Sequence, residues 1–317
     1  MRPYLTALLL TPLALPATAF AQTGCTPAAL PEAAKAVAQL RHTLHEEAIT
    51  ENDPHVPPAV ATQLARLKTA LNTAAEAVFA CADPTSTPEA LEKTLAEALH
   101  ANLPDDKDTP VEIRGKKELG AYGSDLAVQV FPLYGSPRYV EVDFRYGVEC
   151  GDDNLLLVFS TDASSAANAA WREVLRWGAP NYNTVADAIG DFVLLTPLSG
   201  FEKERNWRFV VAHGHPNCGA LTSPSHFDLD ILEPTADPAQ PQTIWHMEHA
   251  YTRNQVPRLS TTEDTLTFQL APPQDPHRTA KAPAHTDTFR YRVTRDNRVE
   301  PLTSSPPPPA PSSNSPQ

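Results

Sequence analysis

Five of the eleven histidines fall within one short stretch: His213, His215, His226, His246 and His249. Asp228, Asp230, Glu248 and Cys218 lie in the same stretch. Imidazoles and carboxylates are the ligands that zinc and copper take in proteins. An imidazole beside a thiol or a carboxylate is also the equipment of nucleophilic and acid–base catalysis. A zinc or copper site here would draw on His213, His246 and Glu248. A hydrolytic site would draw on the same histidines, with Cys218 as nucleophile or with Asp228 and Asp230 as an acid–base pair.

Spacing restrains each of these readings. His213 and His215 share a face only if a strand runs straight through Gly214, and Gly214 with Pro216 argues for a turn there. His246 and His249 are three apart, so they converge on a helix and diverge on a strand. No H-E-x-x-H pattern occurs. Gly123-Ser124-Asp125 lacks the second glycine of a nucleophile elbow, and no glycine-rich phosphate loop is present. Asp152-Asp153-Asn154 lacks the spaced ligands of an EF-hand. The plainer expectation is polar histidines at strand ends, with Asp228 and Asp230 solvated on an outer face. The catalytic residues are therefore unknown from sequence, and zinc or copper is only an alternative.

The four tryptophans, Trp171, Trp177, Trp207 and Trp245, all sit in strand-like segments. Beside arginines they could form a stacking surface for a sugar or a peptide, and Trp171, Trp207 and Trp245 are the candidates for it. Core filling is the competing expectation, because Trp171 and Trp207 occupy equivalent places in a weak repeat.

Residues 1–21 read as a secretory leader. Arg2 supplies the charge, Leu5–Leu15 the apolar run, and Ala19-Phe20-Ala21 the cleavage site. The run is short and broken by prolines, so no transmembrane anchor is expected. The implied location is periplasmic or extracellular. There, four cysteines read as two disulfides. The full chain has a formal charge of −13, and the chain after the leader −14. That balance disfavours nucleic acid as a partner, since such a partner needs a basic face.

Two long helices are expected after the leader. Leu30, Ala33, Val37, Leu40 and Leu44 form one stripe. Val60, Leu64, Leu67, Leu71, Ala74, Val78 and Cys81 form a seam over three heptads. Helices joined by the short Glu51–Pro58 loop pack antiparallel. This brings Cys25 beside Cys81 and leaves Cys150 for Cys218. A third helix should start at Thr87-Pro88.

Beyond Leu103–Pro110 the apolar period falls to 2. Tyr139–Val148 alternates Val140, Val142, Phe144, Tyr146 and Val148 with Glu141, Asp143, Arg145 and Gly147, which predicts one buried and one wet face. Asp153–Ser160 with Ala170–Trp177, and Asp191–Pro197 with Asn206–His213, read as two long-looped hairpins. Further strands are expected at 226–232, 243–248, 265–270, 288–294 and 299–302.

The reading is an α+β protein with these parts: leader 1–21, helical unit (a hairpin or three helices) 22–102, linker 103–110, antiparallel β domain (a meander or sandwich) 111–302, and a disordered Pro/Ser-rich tail 303–317. The function is not legible from sequence. The leading expectation is a non-enzymatic binding or interaction module of the cell envelope, with a protein or glycan partner. The alternative is a metal-dependent or hydrolytic enzyme centred on His213–His249.

Overall fold

The computed structural model describes residues 29–47, 55–102, 126–133, 139–148, 151–161, 170–178, 182, 189–198, 207–215, 225–252, 255–272 and 286–302. The expected leader, the linker 103–110, the tail, Cys25, Cys150 and Cys218 lie outside the described residues.

Among the described residues three helices come first: α1 (Ala29–Glu46), α2 (Pro58–Cys81) and α3 (Pro88–Asn102). Pro58 opens α2 where a missing N–H costs nothing. Thr87 caps α3, its Oγ1 accepting the Ala90 N–H at 3.3 Å. The α2 seam is satisfied within the chain: Val60, Leu64, Leu71 and Ala74 are fully buried. No helix among the described residues is long and apolar enough to cross a membrane.

Among the described residues twelve antiparallel strands follow in three four-stranded sheets. Sheet 1 is β1 (Leu126–Leu133), β2 (Tyr139–Val148), β3 (Gly151–Thr161) and β4 (Trp171–Gly178). Sheet 2 is β5 (Phe192–Leu198), β6 (Arg208–His215), β7 (Ser225–Glu233) and β8 (Gln242–Tyr251). Sheet 3 is β9 (Val256–Thr262), β10 (Thr265–Ala271), β11 (Asp287–Val293) and β12 (Val299–Pro301). Each is a meander of sequential neighbours. Both expected long-looped hairpins are present, as β3–β4 and β5–β6.

The layers stack as helices, sheet 1, sheet 2 and sheet 3. Val142, Phe144, Leu155, Leu157 and Phe159 of sheet 1 share a core with the helices. Phe79 of α2 stacks on Phe159 at 4.1 Å between ring centroids. Leu156, Val158 and Leu175, on the other face of sheet 1, meet Val193, Phe209 and Val211 of sheet 2. The far face of sheet 2 closes on sheet 3 through Phe227, Leu229, Ile231, Leu266 and Phe268.

A buried ion pair ties α2 to sheet 1. Lys68 Nζ lies 2.6 Å from Asp153 Oδ1, and the Asp153 side chain is fully buried. The Tyr146 and Tyr182 hydroxyls donate to Asp153 Oδ2 at 2.9 and 2.6 Å. Burial, reinforced by the Asp153 charge, pushes both phenols up, so both remain donors.

Three expectations change. The face of β2 read as wet is covered by sheet 2, leaving Glu141 and Asp143 only 6% and 2% exposed. Strand β6 runs through Gly214 to His215 instead of turning. The Phe192 ring of the paired strand occupies the place where a Cβ on Gly214 would stand. Strand β9 had not been expected, because Pro257 and the run Ser260-Thr261-Thr262 hide its alternation.

Burial drives the Glu141 carboxyl well above its usual range, the Asp143 charge adds to this, and Arg145 offsets it only in part. The stabilisation is therefore full below the unfolded carboxyl value and is lost as pH rises above it. Glu141→Gln should melt like the parent at pH 4. At pH 8 it should be more stable by at least ~1 kcal/mol, about 2–4 °C. Parallel melting curves across that range would show that Glu141 ionises without cost.

Candidate functional site

Register decides which side chains of sheet 2 meet. His213 pairs with Asp228, His215 with His226, Asp228 with Glu248, and Asp230 with His246. Paired residues of neighbouring strands point to the same face, so all seven share the face turned toward sheet 1. His249 pairs with Phe227 on the opposite face and packs against Phe289 at 4.6 Å. The expected divergence of His246 and His249 on a strand is what the sheet shows.

Along this face sheets 1 and 2 leave a cleft of about 660 Å³. It is lined by His213, His215, Asp228 and Asp230 of sheet 2, by Arg176 and Trp177 of β4, and by Leu155 of β3. Lys68 and Thr69 of α2 close one end, and Ala239 and Pro241 of the β7–β8 connection form a rim. That rim is tied down, since the Arg176 backbone N–H donates to the Pro238 carbonyl at 2.8 Å.

The carboxylates are not idle solvated groups. Asp228 Oδ2 and His215 Nε2 are 2.9 Å apart, and Asp230 Oδ1 and His246 Nδ1 are also 2.9 Å apart. Burial works to raise the Asp228 carboxyl, but the His215 hydrogen bond and the neighbouring imidazoles outweigh it and hold it below its usual range. Asp230 goes the other way, raised by burial despite His246. The Asp230 hydrogen bond raises His246. Adjacent carboxylates are thus driven apart by their surroundings.

His213 is the most constrained group. It is 3% exposed. Its ring meets Trp177 edge-on at 5.1 Å and His215 at 4.3 Å. Its Nε2 would stand 2.5 Å from a Cβ on Gly190, so glycine is required there. Burial, followed by the charge of His215, lowers its pKa to about 3. The imidazole is neutral at neutral pH, and among the described residues its ring contacts are aromatic, with Trp177 and His215.

The two cations of the cleft are already compensated. Lys68 is held by Asp153, and Arg176 grips Glu173 through Nε and Nη2 at 2.8 and 3.1 Å.

The proposed ligand trio His213, His246 and Glu248 shares one face of sheet 2. However, no group of three or more His, Cys, Asp or Glu side chains among the described residues is arranged to hold a metal ion. The imidazoles take carboxylates and other rings as partners instead. Of the stacking candidates, Trp171 and Trp207 are buried, packed on Phe79 at 5.6 Å and on Tyr139 at 4.3 Å. Trp245 lies against Tyr291 of sheet 3 at 4.9 Å. The tryptophan that reaches the cleft is Trp177. Lys68 also lines the cleft, and its position carries a sequence signal. It stands four after Leu64 and three before Leu71, a cation inside an apolar stripe.

His213 makes a pH prediction. An unfolded histidine protonates near 6.5 and the folded one only near 3. Its contribution is therefore full above about 6.5 and is lost as pH falls toward 3. His213→Gln should lose less melting temperature than the parent between pH 6.5 and 4. Equal losses would mean that the imidazole protonates in place.

Compared with protein-family models, with curated proteins and with solved structures, the chain finds no match in any of the three.

Proposed function

We propose that this chain is an exported, non-enzymatic binding module of the cell envelope, and that its ligand lies in the cleft between sheets 1 and 2. The single observation that carries the reading is the cleft itself. A concavity of about 660 Å³ is of small-molecule size, and it gathers a few polar groups on a partly apolar lining. A short stretch of glycan or peptide suits it better than a flat protein surface does.

Export is supported by the leader-like residues 1–21 and by Cys81, which is disulfide-bonded at the end of α2. We read the pairs as Cys25–Cys81 and Cys150–Cys218. Non-reducing peptide mapping that found other links would remove that support.

A second reading, a hydrolytic enzyme on the same histidines, is favoured by the His215–Asp228 contact. A carboxylate that fixes an imidazole prepares it as a general base.

One screen tests both readings. Glycan and peptide fragments are titrated into the purified protein, and binding is read as a rise in melting temperature. Thr243 is an exposed residue on the cleft wall, and Thr243→Trp fills the space. The binding reading expects a bound fragment to be lost by at least about tenfold in this variant. Binding that survives Thr243→Trp would move the site elsewhere. Conversion of a bound compound, abolished by Asp228→Asn, would establish the enzyme instead.

A further inference from the structure

The lining of the cleft says what kind of ligand fits, given the reading that it binds one. We propose that the ligand is a carbohydrate, with a sugar ring against Trp177 and its hydroxyls hydrogen-bonded to His213, Asp228 and Asp230.

The argument begins with His213. The side chain is largely buried, no hydrogen bond to its ring is found among the described residues, and a ring nitrogen that faces the cleft is available to whatever enters it. The ring lines the cleft, so a ligand can reach it. A neutral imidazole offers one donor and one acceptor. A hydroxyl can answer either nitrogen, whereas an ammonium can only donate and a carboxylate or phosphate can only accept.

The neighbouring groups narrow the choice. Asp228 spends Oδ2 on His215, and His246 Nε2 lies 3.9 Å from its Oδ1, beyond hydrogen-bond distance. Asp230 spends Oδ1 on His246, and among the described residues no hydrogen bond to its Oδ2 is found. Two acceptor oxygens thus stand on the same face as His213, as donors such as sugar hydroxyls require. They disfavour an anion, and the cleft cations Lys68 and Arg176 are already paired with Asp153 and Glu173. Beside His213, whose ring it meets edge-on at 5.1 Å, the half-buried Trp177 brings a large, rigid and partly apolar surface to the cleft. A sugar ring has an apolar C–H face to lay on it and hydroxyls around its edge. With an apolar face and hydroxyls that hydrogen-bond in both senses, it matches the indole and the polar groups beside it together.

The test uses the purified protein with four groups of probes: chitotriose, cellotriose and maltotriose; spermidine; inorganic phosphate; and a set of neutral peptides. Binding is followed by tryptophan fluorescence and by calorimetry. At least one oligosaccharide should bind, and Trp177→Ala should weaken it by at least about tenfold, a loss of ~1.4 kcal/mol. Trp177→Phe should retain most of the affinity, which a merely structural role for the indole would not produce. His213→Asn keeps a donor and an acceptor and should bind better than His213→Leu. If no oligosaccharide binds at about 10 mM, or if spermidine or phosphate takes the Trp177-dependent site instead, the carbohydrate assignment is overturned. Peptides that bind, and are lost in Thr243→Trp, would leave the binding-module reading standing while the sugar assignment fails. Silence from every probe would remove both.

Discussion

Strand β3 carries apolar side chains on both faces, so no single neighbouring layer can bury it. Leu155, Leu157 and Phe159 point toward the helices, while Leu156 and Val158 point toward sheet 2. The cost of leaving either set in water is of order 2 kcal/mol per side chain. The helices and sheet 2 are therefore both obligatory, one on each side. Sheet 2 then has a second apolar face of its own, and sheet 3 closes it. The four-layer stack follows from that one strand. Asp153 adds a polar requirement to the same strand. A carboxylate with no exposure must be paired, and Lys68 with two tyrosine hydroxyls pairs it. This contact also sets where α2 lies across the sheet.

The cleft belongs to the same stack. The apolar contact between sheets 1 and 2 runs through Tyr139, Leu156, Val158, Phe209 and Val211. Further along β6 the side chains turning to that face become His213 and His215. His213 packs edge-on against the Trp177 indole, and beside that contact a polar concavity remains. Its electrostatics come from burial more than from net charge. The cations have been used to dock helix and strand, and the deepest imidazole is kept neutral by desolvation. What faces the open space is a neutral ring, two carboxylates and an indole.

Much of the architecture could be read from the residues, and the errors share one cause. The α2 seam and the alternation of β2 were legible because each is a local period matched to local geometry. The same alternation misled about Glu141 and Asp143. Polar residues on alternate positions mean a wet face only when nothing covers them, and coverage is a property of distant chain. Strand β9 was invisible because its backbone pairing with β10 does not depend on an apolar pattern. Gly214 looked like a turn former until the Phe192 ring above it explained the missing side chain. Trp171 and Trp207 looked alike in the repeat and are alike in being buried. Trp177, a few residues from Trp171 in the same strand, reaches the cleft.

By itself the amino-acid order determined the class of structure, the helical face, most strands and which residues could do chemistry. Those properties are carried by periodicity and residue type, and both act over a few positions. The tertiary structure alone decided that Asp228 and Asp230 hold imidazoles, that Lys68 is spent on Asp153, and that His213 sits deep and neutral against Trp177. These depend on strand register and on the stacking of layers far apart in the chain. A shift of one residue in register would send every one of those side chains to the other face.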